Sequence, residues 1–222
     1  GGLIRAMRTI PMFQEIALAI KEYCPEAWVI NFTNPMTVCV RTLYKVFPKI
    51  KAFGCCHEVF GTQKLMTRML KEELDLDVKR QDISINVVGV NHFTWLTKAQ
   101  YRNIDLFPMY REYATKHYDG IDGVGHDNWA NNSFKCAQRV KFDLFRRYGI
   151  IAAAGDRHLA EFCPGDWYIQ NPEQVASWGF GLTPVSWRKD NLKERLARSE
   201  RLLSGEETWE MQNTGEEGTL QM

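Results

Sequence analysis

The spacing of apolar positions changes twice along this chain. Ile10, Phe13, Ile16, Ala17 and Ile20 recur at intervals of three and four, the stripe of an amphipathic helix, which Pro25 ends. Ala27 to Phe32 is a short apolar run that predicts a strand. Thr33-Asn34 then turns the chain, and Pro35 suits the first position of a helix over Met36 to about Val46, stopped by Phe47-Pro48. A strand over 50–54, a helix from Gly61 to Glu73 and a β-branched strand over 83–90 continue the alternation, which predicts βαβ units around a mostly parallel sheet. After Trp95 the pattern turns helical: Leu106 to about Lys116, Trp129 to Arg147 with Ala137, Val140, Lys141, Leu144 and Phe145 on one face, and Trp187 to Ser204, closed by Gly205. Gly120, Gly123 and Gly125 follow no strand and read as a surface loop, and the tail from Glu206 to Met222 is acidic.

Composition narrows the classes. A length of 222 residues with 45% hydrophobic content fits one large domain or two small ones with a real core. Lys plus Arg total 28 against 27 Asp plus Glu, so no global field draws the chain to nucleic acid or to a membrane surface, and an anionic ligand must be met by local charges. No run of about 20 apolar residues and no charged-then-apolar leader occur, which reads as cytoplasmic. The six cysteines, at 24, 39, 55, 56, 136 and 163, form no paired framework; free thiols are expected, with Cys24, Cys39 and Cys136 assigned to packing.

The chemistry gathers at strand ends, where a parallel sheet opens its binding crevice. Asn34 follows the first predicted strand, Cys56 and His57 the second, Asn91 and His92 the third. Thiolate and imidazole are both competent ligands for a divalent transition ion, whereas a structural zinc site would need four protein ligands. Taken alone, Cys56 and His92 read better as a packed thiol and a satisfied core histidine than as ligands, and Asn34 before Pro35 is good turn chemistry. Asp156-Arg157-His158, after the small residues Ala152 to Gly155, offers either a proton-transfer group or an N-cap at Asp156; the Arg157 guanidinium suits a planar carboxylate.

Gly1-Gly2 with Arg5 and Arg8, Asn31-Phe32-Thr33-Asn34-Pro35, Gly54-Cys55-Cys56-His57 and Gly89-Val90-Asn91-His92 stand in the order and spacing of one family. The chain resembles the NAD- and manganese-dependent glycosidases, glycoside hydrolase family 4. The resemblance implies an α/β fold: the end of a Rossmann-like parallel sheet over 1–57, belonging to an NAD-binding domain, then an α+β catalytic domain over 58–222 like that of lactate and malate dehydrogenases. It implies that both ends are cut, the glycine-rich phosphate turn lying outside the chain, which by itself would then bind NAD poorly.

The resemblance further assigns Cys56 and His92 to Mn2+ or another divalent metal, although Cys55 leaves open which sulfur binds. It puts His57 near the glycosidic oxygen, Asn34 between sugar hydroxyls and the nicotinamide, Arg8 on the cofactor side and Asn91 on the substrate. Asp156 is the favoured base, His158 its neighbour in the catalytic set, and Tyr148 and Tyr168 are reserves. The implied reaction is hydrolysis of an unphosphorylated α-glycoside, an α-galacturonide or α-galactoside, by oxidation at C3, deprotonation at C2 and elimination, a route distinct from two-carboxylate chemistry. A homo-oligomer is expected. Competing readings are a 6-phospho-glycosidase of the same family, a non-catalytic interaction module, and a malate- or lactate-type dehydrogenase, for which the Cys56/His92 pair is foreign.

Overall fold

The computed structural model describes residues 2–121, 136–181 and 184–209; Gly123, Gly125, the start of the helix expected from Trp129 and most of the acidic tail lie outside them. The chain divides into two compact units, Gly1–Cys56 with Gly89–Asn91, and His57–Val88 with His92–Met222. No helix among the described residues is long and apolar enough to cross a membrane.

The first unit runs α1 (Gly2–Tyr23), β1 (Trp28–Asn31), α2 (Met36–Val46) and β2 (Lys51–Gly54). The two strands pair in parallel, Trp28 opposite Lys51 through Asn31 opposite Gly54, so both end at the same level. Helices cover them because Ala17, Leu43, Phe47, Ile50 and Ala52 are buried together, with Phe13, Ile20, Val29 and Val46 packed around. Two sequence expectations fail here. Ile16 is 44% exposed although it continues the apolar stripe of α1, and Cys24, assigned to packing, is an exposed thiol beyond the helix end.

The second unit contains α3 (Glu58–Leu74), a short 3-10 turn (Arg80–Asp82), β3 (Ile83–Val90), β4 (Phe93–Tyr101), β5 (Ile104–Asp105), α4 (Leu106–Lys116), α5 (Arg139–Tyr148), β6 (Ile151–Ala152), α6 (Asp156–Phe162), α7 (Gly165–Tyr168), α8 (Pro172–Ser177) and α9 (Val185–Ser204). The expectation of a mostly parallel sheet is corrected: β3 joins β4, not β2, and β4 runs antiparallel to both β5 and β6. The strand β4 was not expected from the sequence. Its burial alternates only loosely, with Leu96, Ala99 and Tyr101 the buried positions, so no clean period of two is visible.

Helix α5 stands between two cores. Phe142 and Phe145 pack with Leu65, Met66, Met69 and Leu70 of α3 and Leu106, Tyr110 and Tyr113 of α4. Val140 and Leu144 pack with Leu159 and Ala160 of α6 and with Tyr168, Val175 and Phe180. The helix begins at Arg139 and not before Ala137, because Gln138 is left-handed (φ 62°) and the chain ahead of it is extended, with Cys136 bridged to Phe180.

That bridge demands a glycine. Gly179 has φ +72°, accepts from the Ala137 N–H at 3.2 Å, and a Cβ there would lie 2.6 Å from the Ala137 Cβ. Gly179→Ala therefore combines a disfavoured backbone with a clash and should cost about 2 kcal/mol or more of stability. Gly165→Ala, which meets nothing within 4 Å and has no positive φ, should shift stability by only a few tenths of a kcal/mol. Urea denaturation of the two variants is the check, and equal effects would refute the packing argument.

Candidate functional site

In the first unit the parallel register carries the polar residues to the strand ends. The Asn31 side chain closes on Thr33, donating to its carbonyl at 3.0 Å and accepting from its N–H at 3.2 Å, and the Cys55 N–H extends the ladder to the Asn31 carbonyl at 3.0 Å. Asn34 is half-buried, and its Oδ1 accepts from Asn91 Nδ2 at 3.1 Å. The two residues assigned to substrate from different strand ends are thus one amide pair. Burial pushes the Cys55 thiol up. Cys56 is half-buried and not in a disulfide; Arg8 is exposed on α1.

In the second unit His57 is the N-cap residue of α3, exposed, and its side chain makes no capping hydrogen bond. Glu58 follows in the first turn. Its Oε2 accepts from the Gly155 N–H at 2.6 Å, and its Oε1 lies 3.4 Å from His158 Nε2. The His158 ring stacks on His92, centroids 3.9 Å apart and planes 12° from parallel. Its other nitrogen, Nδ1, is buried without a hydrogen-bond partner and lies 3.9 Å from Glu161 Oε2, an electrostatic contact rather than a hydrogen bond. Two imidazoles, two carboxylates and the half-buried Arg157 therefore share one region.

Their electrostatics follow from burial and mutual charge. Desolvation and the positive charge of His158 push His92 down to about 4, against the pull of Glu58 and Glu161. His92 is thus a neutral imidazole at ordinary pH, the form that ligates a metal. Burial pushes the Glu58 carboxyl up, but His158 and the Gly155 N–H outweigh it and leave it below the usual range. Glu161 is held low by His158 and Arg157, and burial lowers the Arg157 guanidinium from its ordinary value.

Asp156, the favoured base on sequence, is 0% exposed. Its Oδ1 accepts from the Lys141 backbone N–H at 3.1 Å, so the carboxylate sits on the N-terminus of α5. Nor does it cap its own helix: Gly155 is the N-cap of α6, and Asp156 stands in the first turn. Burial raises its carboxyl to about 6, opposed by Lys141 and by the N–H groups of Lys141, Val140 and Arg139. Lys141, equally buried, donates from Nζ to Thr62 Oγ1 at 2.8 Å, and Thr62 donates to the Ala153 carbonyl at 2.8 Å. Of the reserve tyrosines, Tyr168 is fully buried with its hydroxyl on Asp143 Oδ2 at 2.7 Å, and Tyr148 is 57% exposed against Trp95.

The structure therefore unites Asn34 with Asn91 in one unit, and His92 with His158 in the other. Cys56 belongs to the first unit and His92 to the second. Among the described residues no group of three or more His, Cys, Asp or Glu side chains forms a metal cage. Sequence reasoning gave Glu58 no role, although it directly follows Cys56-His57. The signal was a carboxylate beside two candidate site residues, three positions ahead of the helix expected from Gly61, which in fact begins at Glu58; its partner, Gly155, is 97 residues away.

Comparison with known proteins identifies the lineage. Residues 1–72 match the model of family 4 glycosyl hydrolase, and residues 87–219 that of the family 4 glycosyl hydrolase C-terminal domain. An alpha-galacturonidase of Thermoanaerobacterium saccharolyticum is 62% identical over 224 residues, covering 100% of this chain and 48% of that protein. The solved structure of Bacillus subtilis lplD superimposes with TM-score 0.84 at 51% identity, over 99% of this chain and 50% of that one. A 6-phospho-alpha-glucosidase from gut microorganisms, solved in complex with NAD and Mn2+, shares the fold with TM-score 0.66 at 15% identity, over 97% of this chain and 47% of that one. The chain spans about half the length of the curated relatives it matches. With both of its units covered by the family's models, the chain belongs to glycosyl hydrolase family 4.

Proposed function

We propose that this protein is an NAD- and divalent-metal-dependent glycosidase that hydrolyses an α-galacturonide. The observation that carries the reading is the 62% identity, across the whole chain, to an alpha-galacturonidase. Arg157 supports it from the chemistry: a half-buried guanidinium beside His158 suits a uronate carboxylate, which a neutral galactoside lacks. The 6-phospho-glycosidase reading has weaker support, since relatives of that class reach 35–36% identity over only 43% of this chain.

The residues present fit the implied groups. The thiol of Cys56 and the neutral imidazole of His92 are each, by chemistry, competent donors to a divalent transition ion, and Asn34 and Arg8 would serve the dinucleotide. When bound, the two groups supply reversible hydride removal at C3 and Lewis-acid polarisation of the C3 oxygen, which acidifies the C2 proton. The chain's own residues supply the rest. Asn34 and Asn91, tied to each other, present amide groups to sugar hydroxyls. His158 is the better candidate than Asp156 for taking the C2 proton: it stacks on His92, whereas Asp156 is fully buried with one oxygen on the Lys141 N–H at the start of α5. His57, exposed at the start of α3, would assist departure of the leaving group.

Three outcomes test this reading in the whole enzyme supplied with NAD and Mn2+. Turnover in deuterated water should leave deuterium at C2 of the product without accumulation of reduced cofactor; product free of C2 deuterium, or activity without any dinucleotide, would refute the route. Arg157→Gln should lower kcat/KM for an α-galacturonide by about 10²-fold while changing a neutral α-galactoside only a few-fold. Equal losses on both substrates would remove Arg157 as the carboxylate reader.

His158→Gln should lower kcat by about 10² or more, and Asp156→Asn by less than about tenfold. The Asp156 carboxyl also leaves a stability signature. Folding raises it from 3.8 to about 6, so between those values the folded state holds a proton that the unfolded state has lost. Wild-type stability therefore falls as pH rises through this window, by an amount on the order of 3 kcal/mol from this group. Asp156→Asn should flatten that slope in urea denaturation. A large loss of turnover with the slope unchanged would restore Asp156 as the base.

A further inference from the structure

We propose that the outer face of α9 is a homodimer interface, where two copies of the helix pack antiparallel across a two-fold axis. This does not depend on the glycosidase reading. None of the 20 residues of α9 is buried, so the helix draws no packed core from its own chain, and a helix of that length is marginal in water without one. It leans on the chain by one side only, where Trp187, Asn191, Arg198 and Leu202 are half-buried. Past Gly205 the chain folds back near that same side, Glu207 accepting from Arg198 Nε at 2.7 Å and from Arg201 Nε at 3.1 Å. The opposite side stays open. There Val185, Leu192, Leu196 and Leu203, between 54% and 89% exposed, form one apolar stripe, falling within about 40° of arc at the usual helical pitch.

The order of residues along the stripe says what covers it. Its apolar positions are separated by seven, four and seven residues, a spacing that reads the same in both directions. An antiparallel copy centred on Glu194 therefore sets Val185 on Leu203 of the copy and Leu192 on Leu196 of the copy, and each contact occurs twice. The charges obey the same symmetry. Lys189 follows Val185 by four residues and Glu200 follows Leu196 by four, so both stand on one edge of the stripe. Like edges meet in an antiparallel pair, which brings Lys189 opposite Glu200 of the copy to within about one residue's rise along the axis. Among the described residues neither has an ion pair inside the chain; those of α9 join Lys193 to Asp190 at 3.6 Å, and Arg198 and Arg201 to Glu207. Arg195, on the other edge, comes near its own copy, a repulsion at the wet rim that salt screens. A single helix pair buries less than the roughly 800 Å² per partner of a standard interface, so the dimer is weak, with Kd on the order of 10 µM.

Sedimentation equilibrium of the whole enzyme is the test, with circular dichroism to show that each variant keeps its fold. Wild type should associate increasingly between about 1 and 100 µM. Leu196→Glu, at the centre of the stripe, should weaken association by about 10²-fold. Lys189→Glu and Glu200→Lys each oppose like charges twice and should each weaken it by about tenfold, whereas the double exchange in one chain should return to within about threefold of wild type. An equimolar mixture of the two single variants should associate about tenfold more tightly than either alone, because every contact across the axis then joins opposite charges.

A protein that stays monomeric throughout, its stripe covered by another segment of a longer chain, would overturn the proposal. Association indifferent to Leu196→Glu would place the interface elsewhere and overturn it equally. A mixture no tighter than its parents would reject the antiparallel register, and the proposal with it. None of these measurements reads turnover, so failure here leaves the glycosidase reading untouched, and an enzyme inactive on glycosides would leave the dimer standing.

Discussion

The Asp156 carboxylate, accepting the Lys141 N–H in the first turn of α5, is the contact on which the second unit depends. A helix buried on several sides brings its unsatisfied N-terminal N–H groups into the interior, where each lacking a partner would cost about 1–3 kcal/mol. Helix α5 is such a case: Phe142 and Phe145 face one core and Val140 and Leu144 the other. Its own N-cap residue, the left-handed Gln138, makes no side-chain cap. A carboxylate from the start of α6 serves instead, and in doing so fixes where α6 begins.

The same strip of chain receives bonds from several directions. Ala153 donates its N–H to the Thr94 carbonyl of β4 and accepts at its own carbonyl from Thr62 of α3, while Gly155 donates to Glu58. Ala152, Ala153 and Ala154 are all fully buried, and larger side chains there would force α3, α5 and α6 apart. The packing of small residues thus delivers His158, on the first turn of α6, to His92 and Glu58. Burial around these groups has opposite effects on the two kinds of charge: it lowers His92 and would raise Glu58, and the neighbouring imidazoles, His158 first, with the Gly155 N–H reverse the second.

Local motifs were legible in the sequence because they depend on short-range chemistry. The Pro35 helix start, the Phe47-Pro48 stop and the β-branched run over 83–90 yielded α2 and β3 close to their observed bounds. The runs ending at Asn34, Cys56 and His92 marked strand ends, and the family was readable from them together. Which sheet a strand joins is a different matter. β3 is as apolar as a parallel-sheet strand, yet it pairs with β4, because hairpin partners are chosen by tertiary packing that periodicity does not encode.

The sequence by itself therefore determined the α/β alternation, the family and the chemical identity of the polar residues at the strand ends. Only the tertiary structure decided what those residues do to one another. Asp156 and His158 are two positions apart and look interchangeable as bases, but on the first turn of a helix they point to different surroundings, one into a core and the other to His92. Glu58 found its partners in Gly155 and His158, about a hundred residues later in the chain. Contacts over such separations arise from how helices and strands pack, and no local pattern of residues carries them.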